Sequence, residues 1–252
     1  MATILLQTDK LCKTFSQQGL QQHVLKNLDL TIYKGDFTVI MGPSGTGKST
    51  LLYALSGMDR PTLGTIHFSG ETISRFSNDR LAVFRRHHCG FIFQQIHLID
   101  GMSILDNLMI SGLLAANKKQ AVARRAKDLL IRVGLSEADW NKFPSQLSGG
   151  QAQRAAVVRA LMNTPEAVFA DEPTGALNST AGGAVLDLLS SFHAQGQSIV
   201  MVTHDVRSAL RGNRVLYLQD GVLRGTCTLG AYKSTDTGRH QQLTDFLSDM
   251  GW

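Results

Sequence analysis

Cysteine and proline are scarce in this chain of 252 residues, three and five in number, and aromatic side chains make up only 7% of it. Cys12, Cys89 and Cys227 are odd in number, far apart and without a C-x-x-C spacing. That excludes a disulfide framework and a zinc ribbon, and the three read as reduced, structural thiols. No stretch approaches the ~18 consecutive apolar residues that a membrane span needs. The opening MATILLQTDK lacks the basic segment and long apolar core of a secretory leader. The expectation is a chain on the cytoplasmic side that reaches a membrane only through a partner. An acidic excess is also missing: 25 Lys+Arg against 20 Asp+Glu leave a net charge of +5, suited to polyanions without choosing among nucleic acid, anionic membrane and nucleotide phosphates. What is present is a 43% hydrophobic content against 18% charged, which provides a sizeable core and excludes wholesale disorder.

The apolar pattern alternates between two periods. Leu28, Leu30 and Ile32 sit two apart, as in a half-buried strand, and Phe37–Met41 is a short continuous run of the kind buried on both faces. GTIHFSG at 64–70 reads as a strand of an antiparallel sheet formed with the N-terminal strands. Asn78–Arg86 looks helical and Gly90–Phe93 extended. Residues 103–135 carry helical periodicity, with Val122, Ala126, Leu129, Leu130 and Val133 on one face. Lys118, Lys119, Arg124, Arg125 and Arg132 fall largely off that stripe and read as a solvated face in preference to a nucleic-acid surface. Helices at 151–162, 179–193 and 205–210 then alternate with strands at 167–170 and 198–202, and Asp220-Gly221 marks a hairpin. Strand–helix alternation predicts a mostly parallel sheet with helices on both faces. Leu243, Phe246, Leu247 and Met250 form one face of a C-terminal helix expected to dock on its own core.

Gly42-Pro43-Ser44-Gly45-Thr46-Gly47-Lys48-Ser49 fits G-x-x-x-x-G-K-[ST], between an apolar strand and a helix that begins near Ser49-Thr50. Its glycines let the backbone curl so that successive N–H groups form an anion nest, and the helix N-terminus adds positive potential. Lys48 can neutralise β/γ-phosphate charge and the Ser49 hydroxyl can ligate Mg²⁺. Ala167–Ala170 ends in Asp171-Glu172, two carboxylates at the carboxyl end of a strand. Asp171 is suited to Mg²⁺, and Glu172 to orienting and deprotonating a water. In Leu147-Ser148-Gly149-Gly150-Gln151, Ser148 reads as an N-cap and the glycines expose N–H groups at a second anion-seeking helix end. One chain can use both ends on one nucleotide only by pairing with another copy.

Over residues 3–226 the sequence resembles the nucleotide-binding domain of ABC transporters. GPSGTGKS resembles Walker A, Gln94 in FIFQQ the Q-loop, LSGGQ the signature, AVFADE Walker B, GALN at 175–178 the D-loop and His204 in THD the H-loop. The resemblance implies an α/β P-loop NTPase core with an antiparallel β subdomain and an α-helical signature subdomain. It implies a nucleotide-binding domain over 1–228, helical at about 95–160, followed by a tail at 229–252. ATP and Mg²⁺ are the implied cofactors. Phe15, Gly42, Pro43, Ser44, Gly45, Thr46, Gly47, Lys48, Ser49, Thr50, Gln94, Asp171 and the Ser148, Gly149, Gly150 and Gln151 of the signature would bind nucleotide. Ser49, Gln94 and Asp171 would bind the metal, and Glu172, His204, Lys48 and Gln94 would serve hydrolysis. Phe15 stands where the family stacks adenine. Asn178 departs from the Asp usual in the D-loop, which puts communication across a dimer in question.

The family further implies a head-to-tail homodimer with two ATP and an integral-membrane permease, placing the chain at the cytoplasmic face of the membrane. GFIFQQIHLIDGMSILDNL and DEPTGALN with VTHD are similar to a bacterial subgroup serving lipoprotein release, macrolide export and antimicrobial-peptide resistance. Export of such a peptide, lipoprotein or lipid-like substrate is therefore expected, with a sensor kinase as a further candidate partner. The alternatives are an ATPase powering a membrane complex that signals without transporting, and a soluble ABC ATPase acting on nucleic acid. The second is disfavoured by the single P-loop and the lack of zinc spacing, and no nucleic-acid partner is expected. Ile96, Leu98, Ile99 and Met102 are either a docking surface for the permease or ordinary core. His87 and His88 read as surface residues, with His-His-Cys metal binding through Cys89 as a weaker alternative.

Overall fold

In this computed structural model, which describes residues 3–17, 19–116 and 118–252, the two periods of the sequence settle into strands and helices. In chain order they are β1 (Ile4–Gln17), β2 (Leu20–Tyr33), β3 (Phe37–Met41), α1 (Lys48–Leu55), β4 (Leu63–Phe68), β5 (Glu71–Thr72), α2 (Asn78–His88), β6 (Cys89–Ile92), α3 (Ile104–Leu113), α4 (Lys119–Arg132), α5 (Glu137–Trp140), α6 (Gly149–Leu161), β7 (Ala167–Asp171), α7 (Ser179–Ala194), β8 (Ser198–Val202), α8 (Val206–Ala209), β9 (Arg214–Gln219), β10 (Val222–Thr228) and α9 (Gly238–Asp249). They divide into two compact units, Met1–Ala82 with His193–Trp252, and Val83–Phe192.

In the first unit β1 pairs antiparallel with both β2 and β4, and β4 with β5. Leu28, Leu30 and Ile32 are buried while Lys26, Asn27 and Asp29 are exposed, the outcome expected of a strand with one face on the core. The wholly buried β3 runs parallel between β8 and β9, and β10 closes the hairpin on β9. That burial on both faces is what a continuous apolar run without alternation demands. Arg239, 3% exposed, fixes α9: its guanidinium donates to the carbonyls of Leu210 and Leu229 at 2.7 Å, of Gly230 at 3.1 Å, and of Gly212. Leu243 and Leu247 are buried beneath this helix, and Phe246 and Met250 pack against Gly225.

In the second unit β6 and β7 run parallel, with Ile92 opposite Ala170. The helical periodicity of 103–135 is divided between α3 and α4. The two cross so closely at Gly112 that a Cβ there would overlap the Val122 side chain. Val122, Ala126, Leu129, Leu130 and Val133 are buried as the stripe requires. Arg125 is no solvated residue: half-buried, it donates to the carbonyls of Leu161 and Met162 at 2.7 Å, at the negative end of the α6 dipole. His87 is exposed, and His88, its side chain 40% exposed, lies at the surface as expected while stacking on Phe84 and pairing with Glu166 at 2.7 Å. Among the described residues no group of three or more His, Cys, Asp and Glu is placed to hold a metal.

Candidate functional site

The glycine loop leaves β3 at Met41. Gly42 has φ +149°, and a Cβ there would overlap the carbonyl oxygen of Leu218 on β9, so only glycine lets the loop depart beside that strand. Gly47, at φ +94°, is the N-cap of α1, and the Leu51 N–H returns to its carbonyl at 2.8 Å. Ser49 and Thr50 sit in the first turn, half-buried. The Lys48 ammonium is folded under the loop, donating to the carbonyls of Gly42 at 2.9 Å and Pro43 at 2.7 Å, while Thr46 Oγ1 donates to Pro43 O at 2.9 Å. Pro43, Ser44 and Gly45 are exposed above a buried cation, as an anion cradle requires.

His204 belongs to the same unit. Ile40 and Val202 are parallel partners, so Gly42 and His204 each lie two residues beyond them at one carboxyl edge. Asp205 caps α8 by accepting from the N–H groups of Arg207 and Ser208 at 3.3 and 2.9 Å. Phe15 lies on β1, 45% exposed, with the Lys13 ammonium 4.8 Å from its ring centroid.

The second unit gathers the other predicted residues. Gln94 and Glu172 each lie two residues past the parallel pair Ile92–Ala170. Asp171 ends β7, 9% exposed, and Glu172 follows with φ +46°. The Glu172 carbonyl accepts from Gly175 N at 3.0 Å, and a Cβ on Gly175 would stand 3.0 Å from Gln94 Nε2, so Gln94 and the 172–175 turn are in contact. Ser148 is the N-cap of α6 with a full capping box: Gln151 N donates to its Oγ at 3.3 Å and its N–H to Gln151 Oε1 at 3.0 Å. The helix therefore starts at Gly149, two residues before the expected Gln151, and places both glycine N–H groups in its first turn. Gly149 and Gly150 pack on Leu177 and Ala181, and Asn178 Oδ1 accepts from Ala181 N at 2.9 Å.

Two residues went unremarked in the sequence. Gln153 is wholly buried and bonds to backbone on either side of this cluster. Its run of small apolar neighbours, Ala152, Ala155, Ala156 and Val157, was the available signal. Asn107, also buried, accepts from Ile99 N at 2.7 Å and donates to the carbonyls of Ile99 and Ser103 at 3.1 and 3.0 Å, shaping the segment after Gln94. Of the apolar residues there, Leu98 is core at 9% exposure, Ile99 is 50% exposed, and Ile96 and Met102 are half-buried.

Residues 25–175 match the family model described as ABC transporter. The macrolide export ATP-binding/permease protein MacB of Pectobacterium atrosepticum is 42% identical over 221 residues, 88% of this chain and 34% of that protein. The chain thus spans about a third of that relative's length. An uncharacterized ABC transporter ATP-binding protein of Methanocaldococcus jannaschii, MJ1508, is 42% identical over 217 residues, 86% of this chain and 96% of that protein. The solved dimeric post-hydrolysis state of the ATP-binding cassette MJ0796, bound to ADP and Pi, superposes with a TM-score of 0.83 at 36% identity, covering 90% of this chain and 100% of that one.

Proposed function

The chain belongs to the ABC transporter family, and from that premise we propose that it is the ATPase subunit of a membrane exporter and works as a nucleotide-bridged homodimer. Its cofactors are ATP and Mg²⁺, and it hydrolyses ATP to ADP and phosphate. The loop N–H groups from Gly42 to Lys48 and the Lys48 ammonium take the phosphates, and Phe15 offers a ring to the base. Ser49, Gln94 and Asp171 would hold Mg²⁺, which supplies charge neutralisation on the phosphate oxygens. Their hydroxyl, amide and carboxylate oxygens are the hard donors that this ion prefers, and it needs few of them because it keeps water and phosphate ligands. Glu172 takes the proton of the attacking water, and His204 positions that water and the γ-phosphate.

The observation that carries the dimer is the exposed, fully capped N-terminus of α6. Ser148, Gly149 and Gly150 present an anion-seeking helix end, in a chain that already has a complete phosphate loop of its own. A second copy supplies the phosphate it reads. The membrane partner is a permease that seats on the segment after Gln94, with Ile99 as its exposed apolar contact. The cargo is a macrolide-like, antimicrobial-peptide, lipoprotein or lipid-like substrate, in keeping with the export named for the bacterial relative. Measuring ATPase rate per chain across a dilution series tests the scheme. A rate rising with concentration supports it, and a concentration-independent rate in a monodisperse monomer overturns it.

A further inference from the structure

We propose that Gln153 is a positioning residue for hydrolysis, its one side-chain amide fixing the backbone that precedes Gln94 and the backbone that follows Glu172. The inference rests on the roles given above to those two residues and adds a third that touches neither nucleotide nor water.

Gln153 is 1% exposed, on the buried side of α6. Its Nε2 donates to the carbonyl of Phe93 at 3.2 Å and to that of Pro173 at 2.8 Å. A primary amide has two N–H donors, and here each carbonyl takes one. Phe93 immediately precedes Gln94, and Pro173 immediately follows Glu172. The β6–β7 register runs as far as Ile92 and Ala170. Pro173 has no N–H with which to continue such a ladder, so the amide of Gln153 joins the two departing chains where backbone pairing cannot.

The join matters because Glu172 holds a left-handed backbone at φ +46°, a conformation that persists in an L-residue only when its surroundings over-determine it. Gly175 N fastens its carbonyl, and Gln153 fastens the next one. The same helix carries Ser148, Gly149 and Gly150 in its first turn. The element that meets the partner's nucleotide therefore also holds, a turn further on, the frame of the base and of Gln94. A Leu or Met would fill the space, but only a paired donor serves both carbonyls.

The test uses the purified chain with Mg²⁺ and ATP. Gln153→Met keeps the length and removes both donors. Misplacing a reacting group by a fraction of an ångström to 1 Å costs about 10- to 100-fold, so kcat should fall by that much. KM and the affinity for a fluorescent ATP analogue should stay within about threefold, because the phosphate loop and Lys48, which carry most of the ground-state binding, are untouched. Introduced into Glu172→Gln, the same change should cost severalfold less than in the parent, since the base it positions is gone and only Gln94 is left to misplace. Parental kcat in Gln153→Met, or a full multiplicative loss in the Glu172→Gln background, overturns the inference.

Should Gln153→Met fail to fold, Gln153→Glu decides. Its carboxyl donates one bond when protonated and none when ionised, so kcat should fall as pH rises through its titration, a limb absent from the parent. Absence of that limb counts against the inference. Rapid turnover by Glu172→Gln alone would instead remove the underlying assignment of the base. A slow Glu172→Gln beside a fast Gln153→Met would leave that assignment standing and remove only Gln153.

Discussion

The N–H of Thr203 donates to the carbonyl of Ile40 at 3.3 Å. This bond laces the last turn of two parallel strands together just before one becomes the phosphate loop and the other delivers His204. The loop and the histidine thus share a rigid base formed by wholly buried strands. Side-chain changes above that base should alter chemistry with little effect on folding.

Lys48→Ala tests the loop. Each hydrogen bond to a charged group contributes about 1.5–3 kcal/mol, so nucleotide affinity should fall by roughly ten- to a hundredfold or more. Titration with a fluorescent ATP analogue reads this directly, and unchanged affinity contradicts the assignment.

Glu172→Gln should retain ATP binding and lose about 10²- to 10⁴-fold in kcat, the usual contribution of a general base. ATP-bound dimers should then accumulate and be visible by light scattering. Turnover at the parental rate would release Glu172 from its role.

Ser148→Asp separates folding from function at the signature. Aspartate caps a helix as well as serine, so the melting temperature should barely move, within about 0.5 kcal/mol of parental stability. The added carboxylate would face phosphate in the dimer, and hydrolysis should drop at least about tenfold while binding to the isolated chain is kept. Normal ATPase activity in this variant would argue against a shared site.

Leu98 and Ile99 are adjacent and should behave oppositely. Leu98→Ser empties a core position and should cost about 2–4 kcal/mol by denaturant unfolding. Ile99→Ser changes an exposed residue, should leave stability and basal ATPase intact, and should uncouple hydrolysis from a permease in the reconstituted complex. Preserved coupling would move the docking surface elsewhere.

Asp139 gives a pH signature. Its carboxylate accepts from Lys142 Nζ at 2.7 Å and from the Ser136 N–H and hydroxyl at 3.0 Å. The Lys142 bond, aided by Ser136 and opposed by burial, holds the carboxyl below the usual carboxylate range. A folded-state pKa below the unfolded one stabilises above the unfolded value of about 3.9, and the benefit is lost as pH falls through the folded pKa. Asp139→Asn should therefore lower the melting temperature at neutral pH, with the gap to the parent closing below about pH 4. A gap that persists in acid would place the effect in packing.

Much of this architecture was legible in the residues. The run Phe37–Met41 has no alternation, and it is buried on both sides; Leu28, Leu30 and Ile32 alternate, and one face is buried. Tertiary effects hid the rest. The break between α3 and α4 follows from their close crossing at Gly112, which a continuous apolar stripe cannot announce. The early start of α6 follows from a capping box that outweighs the poor helix propensity of two glycines. Gln153 resembles any polar helix residue until its neighbours enclose it, and Arg125 resembles a surface charge until Leu161 is found beside it. The Gly42–Ser49 loop and the Asp171-Glu172 pair stand out as motifs because each is local, at the carboxyl end of a buried strand. The contacts behind them come from distant segments.

The left-handed backbone at Glu172 carries a cost for the whole molecule. Replacing that glutamate by glycine would relieve one of the left-handed torsions that the chain holds at non-glycine residues, while removing the carboxylate proposed as the base. Screens that reward heat resistance alone should therefore drift toward sturdy, inert variants at this position, and a search for a hardier form must select on turnover as well.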